Sequence, residues 1–509
     1  MKTSHTLAFI ISVFVLLGVG WWLFPAEGLR LGSLNLRFPS YAEDRLGNQE
    51  SVDVDAVLDE VNRSFKMDCS DTQIDSLFFF YDYLTQNPNR IYLPNDDYTY
   101  FDTLFHLFEQ AHESGNTIRI HHYGDSQIEM DRISSVLRQR LQELFGGSGP
   151  NMIPAVQTIS SISISQSRGG GLTRYTIYGD STTHRASHNR YGVMTQFSQA
   201  AGQSTISFNV TKHSQAFDKV KEISHVSLLL GNNSEGFQAT LKADALSPET
   251  KAISTAKHGV SMLSWNLPAD IQHGTLTLQG NAEVYAVLLD GEAGVALDNN
   301  PLRGCSGTIF SRIDKEVMKE SYELLDTRMI ILQFGGNRMP SVNGNNTGKV
   351  ISNYMKEITR QIQYFQEVAP QATLLFIGPA DMGKSYNGKI GTWKGLPELN
   401  DSLRATALNN GIAYWDMFHV MGGEGSMAQY VKHKPALAGP DYIHFTFLGA
   451  QNIGDALAKS FTTYYDFYTM RQGIPAQTIE DFMSKDSEAI QKEKFQHERK
   501  VKPFNYYYQ

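Results

Sequence analysis

One unit constrains this chain more than any other: a short apolar strand that enters a tight turn and then an amphipathic helix. Residues 117–124 read TIRIHHYG, and a Gly-Asp-Ser turn follows at 124–126. The helix predicted within 126–147 has apolar side chains at three- and four-residue spacings and ends in a glycine pair. Strand, turn and helix open a βαβ unit, so the pattern predicts an α/β body that begins near residue 97.

Short apolar strands recur in the second half of the chain, separated by helical stretches. They are predicted at 284–291, 328–336, 373–379 and 411–418. Alternating strands and helices are typical of a doubly wound parallel sheet. We therefore expect these strands to lie beside the one at 117–124 in a single sheet.

Residues 151–283 break this alternation with short Ser/Thr/Gly-rich runs such as QSTISFNV and GTLTLQG. Runs of alternating polarity are typical of an all-β unit. We predict an α/β domain over 97–150 and 284–470, with an all-β domain inserted at 151–283. The length of 509 residues agrees with this, since single cores seldom exceed about 300 residues.

The two ends of the chain differ from this body. Residues 7–24 form an uncharged apolar run, LAFIISVFVLLGVGWWLF, which is long enough to cross a bilayer as a helix. We predict that residues 1–28 anchor the protein in the membrane of the cell envelope, with the body on the periplasmic or extracytoplasmic side. A cleaved signal peptide is the alternative, although the bulky end of the run makes a poor cleavage site. Residues 29–96 are predicted to be a stalk and 471–509 a peripheral tail.

The composition argues against several classes of protein. The chain has 44 Lys+Arg and 53 Asp+Glu, a net charge of -9, and its basic residues are scattered, so nucleic acid is not expected as a partner. Two cysteines, Cys69 and Cys305, exclude a disulfide framework, and a single bridge between them stays open. We expect no metal and no cofactor, because no His, Cys, Asp or Glu spacing completes a metal site.

Ser126 is the candidate nucleophile. It lies at the predicted carboxyl end of a strand and beside a helix amino terminus, which is a common position for functional groups in α/β proteins. Asp125 is expected to organise the turn. A second Gly-Asp-Ser ends at Ser181, but no amphipathic helix follows it, so Ser126 is favoured.

A nucleophilic serine needs a base, a group that orients the base, and donors for an oxyanion. Asp441 precedes His444 by three residues, and such a pair can fix the imidazole tautomer, although an ordinary loop pair is the alternative. Asn337 ends a Gly-Gly-Asn sequence after a predicted strand, where its amide is a candidate oxyanion donor or part of a simple turn. The amide of Gly304 is a less specific second candidate.

In chain order, Gly-Asp-Ser, a loop glycine, Gly-Gly-Asn and Asp-x-x-His resemble the four blocks of the SGNH hydrolase superfamily, also called GDSL esterases, over about residues 97–465. The resemblance implies a three-layer, flavodoxin-like α/β domain. It also implies the following roles: Ser126 as nucleophile, His444 as base, Asp441 as its partner, and the amides of Ser126 and Gly304 with the Asn337 side chain as oxyanion hole. Gln127 follows Ser126 at the position where the family motif has leucine.

The all-β insertion after the first block is similar in layout to bacterial peptidoglycan O-acetylesterases, in which a jelly-roll-like module accompanies the catalytic domain. This implies removal of acyl groups, acetyl in the first place, from an envelope carbohydrate, with the insertion as a candidate carbohydrate-binding module. One alternative is an O-acyltransferase that uses the same residues beside a membrane-bound O-acyltransferase partner. Another is a glycan-binding protein with an inactive core.

Overall fold

The computed structural model describes residues 29–31, 34–36, 53, 55, 73–179, 182–254, 257–342 and 344–501. The predicted anchor at 1–28, Cys69 and Ser181 lie outside these residues. None of the helices within the described ranges is long and apolar enough to span a bilayer.

The chain divides into two compact units, one of residues 1–51 with 384–391 and one of 52–383 with 392–509. Strand Leu29–Leu31 pairs antiparallel with Leu34–Leu36, and Gly383–Tyr386 pairs with Lys389–Thr392 in a separate two-stranded sheet. The larger unit contains the candidate site.

The larger unit alternates helices and strands. Its helices are α1 (Gln73–Gln86), α2 (Asp102–Ser114), α3 (Ser134–Phe145), α4 (Lys315–Leu324), α5 (Thr347–Val368), α6 (Leu396–Asn409), α7 (Met417–Val420), α8 (Ser426–Lys432), α9 (Phe447–Arg471), α10 (Ala476–Met483) and α11 (Ser487–Val501). Its strands are β1 (Ile91–Tyr92), β2 (Thr117–Gly124), β3 (Asn151–Ile153), β4 (Ile164–Thr176), β5 (Gln196–Val210), β6 (His225–Asn233), β7 (Gln238–Ala243), β8 (Glu249–Ala252), β9 (Lys257–Asn266), β10 (His273–Gln279), β11 (Ala282–Asp290), β12 (Gly294–Pro301), β13 (Thr327–Gln333), β14 (Thr373–Ile377) and β15 (Ala413–Trp415).

The first sheet has the spatial order β12-β2-β13-β14-β15-β1, and its strands pair in parallel except at the β15–β1 edge. Helices cover both of its faces. Along β13, Met329 and Ile331 join a core with helices α2, α3 and α9, whereas Ile330 and Leu332 join a core with α4, α5 and α6. This alternation follows from the two-residue period of a strand.

The second sheet is antiparallel and has the order β8-β7-β10-β5-β11-β6-β9, with β3 paired to β11 and β4 paired to β5. It lies in sequence between helix α3 and strand β12 and buries a core of its own. The prediction of an α/β domain with an inserted all-β domain is therefore confirmed. The exact domain bounds stay predictions.

One strand prediction is wrong. The run predicted at 284–291 as a parallel strand is β11, which pairs antiparallel with β6 in the second sheet. The second parallel strand is instead β12, with the sequence GVALDNNP. Strand β11 is buried on both faces, with Leu288 in one core and Leu289 in another. Its continuous apolar run therefore looks like that of a parallel strand.

The ends of the larger unit also differ from expectation. Helix α1 lies within the predicted stalk and helices α10 and α11 lie within the predicted tail, but the three pack on one another through an apolar cluster that includes Phe80, Phe482 and Ile490. Helix α1 is largely apolar, but its sequence does not show which elements cover it. Together they bury one another, so 73–96 and 476–501 belong to the folded body.

Candidate active site

The carboxyl ends of the parallel strands are aligned in register. Gly124 of β2 pairs with both Pro301 and Gln333, and Ile377 pairs with both Gln333 and Trp415. Residues that directly follow these positions therefore lie along one edge of the sheet. The Gly-Asp-Ser turn, the loop that contains Gly304 and the Gly-Gly-Asn sequence all follow strands that end at this edge.

The turn after β2 holds Ser126 at this edge. The Asp125 amide donates to the Gln333 carbonyl at 3.3 Å, and the Asp125 carboxylate accepts the Gln127 amide at 3.0 Å. The helix predicted to begin directly after the turn is broken. Residues Ser126–Asp131 form an irregular 3₁₀ turn with Met130 at φ 62, and regular helix starts at Ser134.

Charged groups hold this irregular turn in place. Asp131 accepts Arg138 at 2.6 and 3.1 Å and also accepts the hydroxyl of Ser163, which belongs to the inserted domain. Glu129 is buried and pairs through both oxygens with Arg303. Since left-handed backbone is costly for a residue with a side chain, these bonds explain why the turn keeps its shape.

The structure brings the three predicted catalytic residues together. Ser126 Oγ lies 2.8 Å from His444 Nε2, and His444 Nδ1 lies 2.7 Å from Asp441 Oδ2. The other Asp441 oxygen accepts the amides of Ile443 at 3.0 Å and His444 at 3.1 Å. These contacts form a continuous carboxylate, imidazole and hydroxyl chain.

The charges around Asp441, His444 and Ser126 favour one tautomer of the imidazole. Partial burial opposes ionisation of Asp441, but hydrogen bonds from the His444 ring and from the amides of Ile443 and His444 outweigh it, so the pKa of Asp441 is lowered. The charged carboxylate keeps a proton on His444 Nδ1, which leaves the Nε2 lone pair facing the serine hydroxyl. The His444 side chain is 41% exposed, so water can reach it.

Asn337 lies against the residue that precedes the nucleophile. Its Nδ2 donates to Asp125 Oδ2 and to the Cys305 carbonyl, each at 3.1 Å. Both amide protons are thus engaged, and donation to an oxyanion requires that one contact be exchanged. Gly304 precedes Cys305 in the same loop, with φ 74.

Asp125 is a buried carboxyl with a network role. Burial raises its pKa to about 6, against the opposing effects of the Gln127 amide and of His444. Its two oxygens connect the backbone of the nucleophile turn to the Asn337 side chain. This agrees with the expectation that Asp125 organises the turn.

Two further side chains join the turn to the histidine loop. Gln127 Nε2 donates to the Ile443 carbonyl at 2.7 Å, and Arg132 donates to the Phe445 carbonyl at 2.9 Å and to the Ser126 carbonyl at 3.3 Å. Sequence reasoning treated Gln127 only as a departure from a family pattern. Its position beside the nucleophile was the one available signal.

A cavity of about 190 Å³ opens beside Ser126 and His444. Much of its wall is apolar: Phe334, Pro340, Met382, Trp393, Met417 and Ile443. Buried Cys305 lies nearby in the loop of Gly304, and burial raises the pKa of its thiol to about 11, so it stays a neutral packing group.

Comparisons with known proteins give structural neighbours only. No family model and no curated protein matches the sequence. A solved structure described as a peptidoglycan O-acetylesterase is 18% identical, covers 73% of this chain and 96% of its own, and superposes with a TM-score of 0.56. This likeness shows that the two chains share a fold.

Two other neighbours superpose less well. A family two carbohydrate esterase from Clostridium thermocellum is 10% identical over 53% of this chain and 95% of its own, with a TM-score of 0.26. A lipase/acylhydrolase from Enterococcus faecalis is 15% identical over 33% of this chain and 77% of its own, with a TM-score of 0.24. The likeness in fold therefore rests on the first neighbour.

Proposed function

We propose that this chain is a serine-dependent carbohydrate O-acyl esterase that removes acyl groups, acetyl first among them, from an envelope glycan such as peptidoglycan. The observation that carries the proposal is the chain of contacts from Asp441 through His444 to Ser126, at 2.7 and 2.8 Å. The neighbour described as a peptidoglycan O-acetylesterase supports the choice of substrate class.

In the first step of this proposal, His444 Nε2 accepts the hydroxyl proton as Ser126 Oγ attacks the ester carbonyl. Asp441 stabilises the resulting imidazolium. The amides of Ser126 and Gly304 and the Asn337 side chain hold the oxyanion of the tetrahedral intermediate. The imidazolium then gives its proton to the sugar oxygen, which leaves as a hydroxyl, and an acyl-serine remains.

Water completes the cycle. His444 takes a proton from the attacking water, the second tetrahedral intermediate collapses, and the carboxylic acid leaves while Ser126 regains its proton. The exposure of the imidazole supports hydrolysis, because water reaches His444 directly. If a sugar hydroxyl took the place of water, the same residues would catalyse transfer.

The cavity beside Ser126 supports a short acyl group. Its volume of about 190 Å³ exceeds the roughly 150 Å³ of an apolar cavity that holds benzene. Acetyl therefore fits, and a somewhat longer acyl chain has room as well. The apolar side chains of Met382 and Trp393 suit the hydrocarbon part of such a group.

Three finer predictions belong to this proposal. The spatial order of the parallel strands is 2-1-3-4-5 in chain order, and helices on both faces support the flavodoxin-like layering. The insertion is taken as a jelly-roll-like, carbohydrate-binding module. The apolar run at 7–24 supports attachment to the membrane, with the body in the extracytoplasmic part of the envelope.

The test measures acetate release by the full-length chain in detergent, from p-nitrophenyl acetate and from O-acetylated peptidoglycan. Ser126→Ala should abolish release from both substrates. Ser181→Ala, in the second Gly-Asp-Ser of the sequence, is the matched control and should leave release unchanged. Acetyl transfer to an added sugar without release would favour the acyltransferase. Glycan binding with neither reaction would establish an inactive core.

A further inference from the structure

A second cavity, of about 320 Å³, lies between the α/β domain and the inserted domain. Met130 and Arg303 line it from the α/β domain, and Arg174 lines it from strand β4 of the insertion. It adjoins the candidate active site along the chain, since Met130 lies in the turn that begins at Ser126 and Arg303 directly precedes Gly304. Its volume falls within the roughly 300–1,000 Å³ of small-ligand sites.

The charges that line this cavity do not balance. Among the described residues that line it, three arginines and one aspartate leave a formal charge of +2, and Glu129, which pairs with Arg303, reduces it to +1. Asp131 is already held by Arg138. The unbalanced charge therefore lies on Arg174, in a chain whose net charge is -9.

Arg174 is largely removed from solvent, and no carboxylate among the described residues faces it. Its Nε donates to Gln196, and the hydroxyl of Tyr178 lies close to the guanidinium. Burial is the largest influence on the pKa of Arg174 and lowers it, and the Tyr178 hydroxyl opposes this effect. An arginine cannot release its proton in a protein, so the charge stays and an anion in the cavity would stabilise it.

The rest of the cavity wall is polar in a way that suits sugar hydroxyls. Asn300 lines it and is 2% exposed. Gln157, Thr158 and Ser160 add amide and hydroxyl groups. Amide and hydroxyl groups can donate hydrogen bonds to sugar hydroxyls and accept hydrogen bonds from them.

We propose that this cavity binds a carboxylate-bearing sugar of the substrate glycan, with Arg174 holding the carboxylate and the amide and hydroxyl groups of the wall binding sugar hydroxyls. The single surplus charge matches the single charge of a carboxylate. The guanidinium presents the planar fork that carboxylates prefer. This inference rests on the proposed function, because it places an acidic sugar of the same glycan beside the acylated one.

Calorimetric titration of the full-length Ser126→Ala chain in detergent tests binding without turnover. The probes are trigalacturonic acid and its methyl ester, which has the same sugars without the charge. We expect the acid to bind about tenfold more tightly than the ester, which is the effect of one charge-assisted contact. Arg174→Gln, added to this chain, should remove the preference, and Arg174→Lys should keep part of it because the charge remains.

Arg168→Gln is the matched control, since Arg168 is exposed on the same strand and does not line the cavity. It should keep the preference for the acid. Equal binding of acid and ester, no binding of either, or a preference that survives Arg174→Gln would each overturn the inference. If Arg174→Gln unfolds, the ratio of the affinities for acid and ester, measured for the parent chain and for Arg174→Lys, still tests the inference. Acetate release without acid preference defeats this inference alone, and acid preference without acetate release defeats the proposed function alone.

Discussion

Two Asp-x-x-His turns in this protein have nearly the same local geometry and different surroundings. In the turn at 441–444, the carboxylate lies 2.7 Å from the histidine Nδ1 and accepts the histidine amide at 3.1 Å. In the turn at 416–419, the corresponding distances are 2.8 and 3.2 Å. The local sequence therefore builds the same acid and imidazole pair twice.

The two pairs differ in what lies on the far side of the imidazole. His444 Nε2 faces Ser126, whereas His419 Nε2 makes no hydrogen bond within the described part of the chain. Asp416 is fully buried, caps helix α7 and also accepts Arg404 at 2.8 Å. The first pair contacts a candidate nucleophile, whereas the second stabilises the fold. The Asp-x-x-His motif alone therefore does not identify a catalytic base.

A third arrangement in the core shows that access also matters. His121 lies 3.0 Å from Asp298 and 3.1 Å from the Thr327 hydroxyl, again a carboxylate, an imidazole and a hydroxyl. All three residues have 0% exposure, and the contact with Asp298 is not aligned as a hydrogen bond. No substrate can reach that hydroxyl. These three residues therefore contribute to packing in the core and not to catalysis.

The largest expected effect separates the two histidines. His444→Ala should lower kcat on p-nitrophenyl acetate on the order of 10⁴-fold or more, because the serine loses its base. His419→Ala should change kcat less than about twofold, since no nucleophile among the described residues contacts that ring. Comparable losses in both variants would break the distinction between the turns.

The two aspartates should separate activity from stability. Asp441→Asn should lower kcat about 10³-fold, because the amide stabilises the wrong tautomer and cannot stabilise the imidazolium. Asp416→Asn should instead cost about 3 kcal/mol of unfolding free energy, because it leaves a buried pair with Arg404 incomplete. Initial rates and urea unfolding of both variants check this. Activity loss without destabilisation in Asp416→Asn would contradict it.

The proposed oxyanion donors offer a further test of the difference between the two turns, because they are proposed to act with His444 and not with His419. Asn337→Ala should lower kcat about 10²- to 10³-fold with little change in KM, because its amide acts on the transition state. Asn345→Ala, at a nearby exposed position, is the control. A rise in KM with unchanged kcat would instead assign Asn337 to substrate binding.

The smallest expected effect is a pH dependence of stability from His419. The hydrogen bond to Asp416 raises the pKa of His419 above its usual 6.5, and burial opposes this. The folded state therefore favours the protonated ring. Its contribution to stability is full below pH 6.5 and is lost as pH rises through the higher folded value. The difference in urea stability between wild type and His419→Gln should shrink from pH 5.5 to pH 8.5, and a constant difference would argue against it.

Prediction from sequence succeeded where a signal is local. The strand, turn and helix around Ser126 appear within about thirty residues, and the polar turns after Gln333 and before His444 are similarly short. The structure brings Ser126, His444 and Asp441 together as predicted. Their catalytic roles stay predictions.

Prediction failed where the outcome depends on distant partners. The run of β11 has the composition of a parallel strand, and only its neighbours made it antiparallel. The helix expected from Ser126 breaks because Asp131 is drawn to Arg138 and to Ser163 of the insertion. Helix α1 has an apolar face without a visible partner until α10 packs on it.

The sequence by itself determined the local parts of this protein: the strands and helices, the two Asp-x-x-His pairs and the Gly-Asp-Ser turn, because their hydrogen bonds and periodicities span only a few residues. The tertiary structure decided which pair meets a nucleophile. Ser126 and His444 are 318 positions apart, and they meet because the register of the parallel sheet aligns the ends of its strands. It also placed Arg174 of the insertion in the wall of a cavity that residues of both domains line.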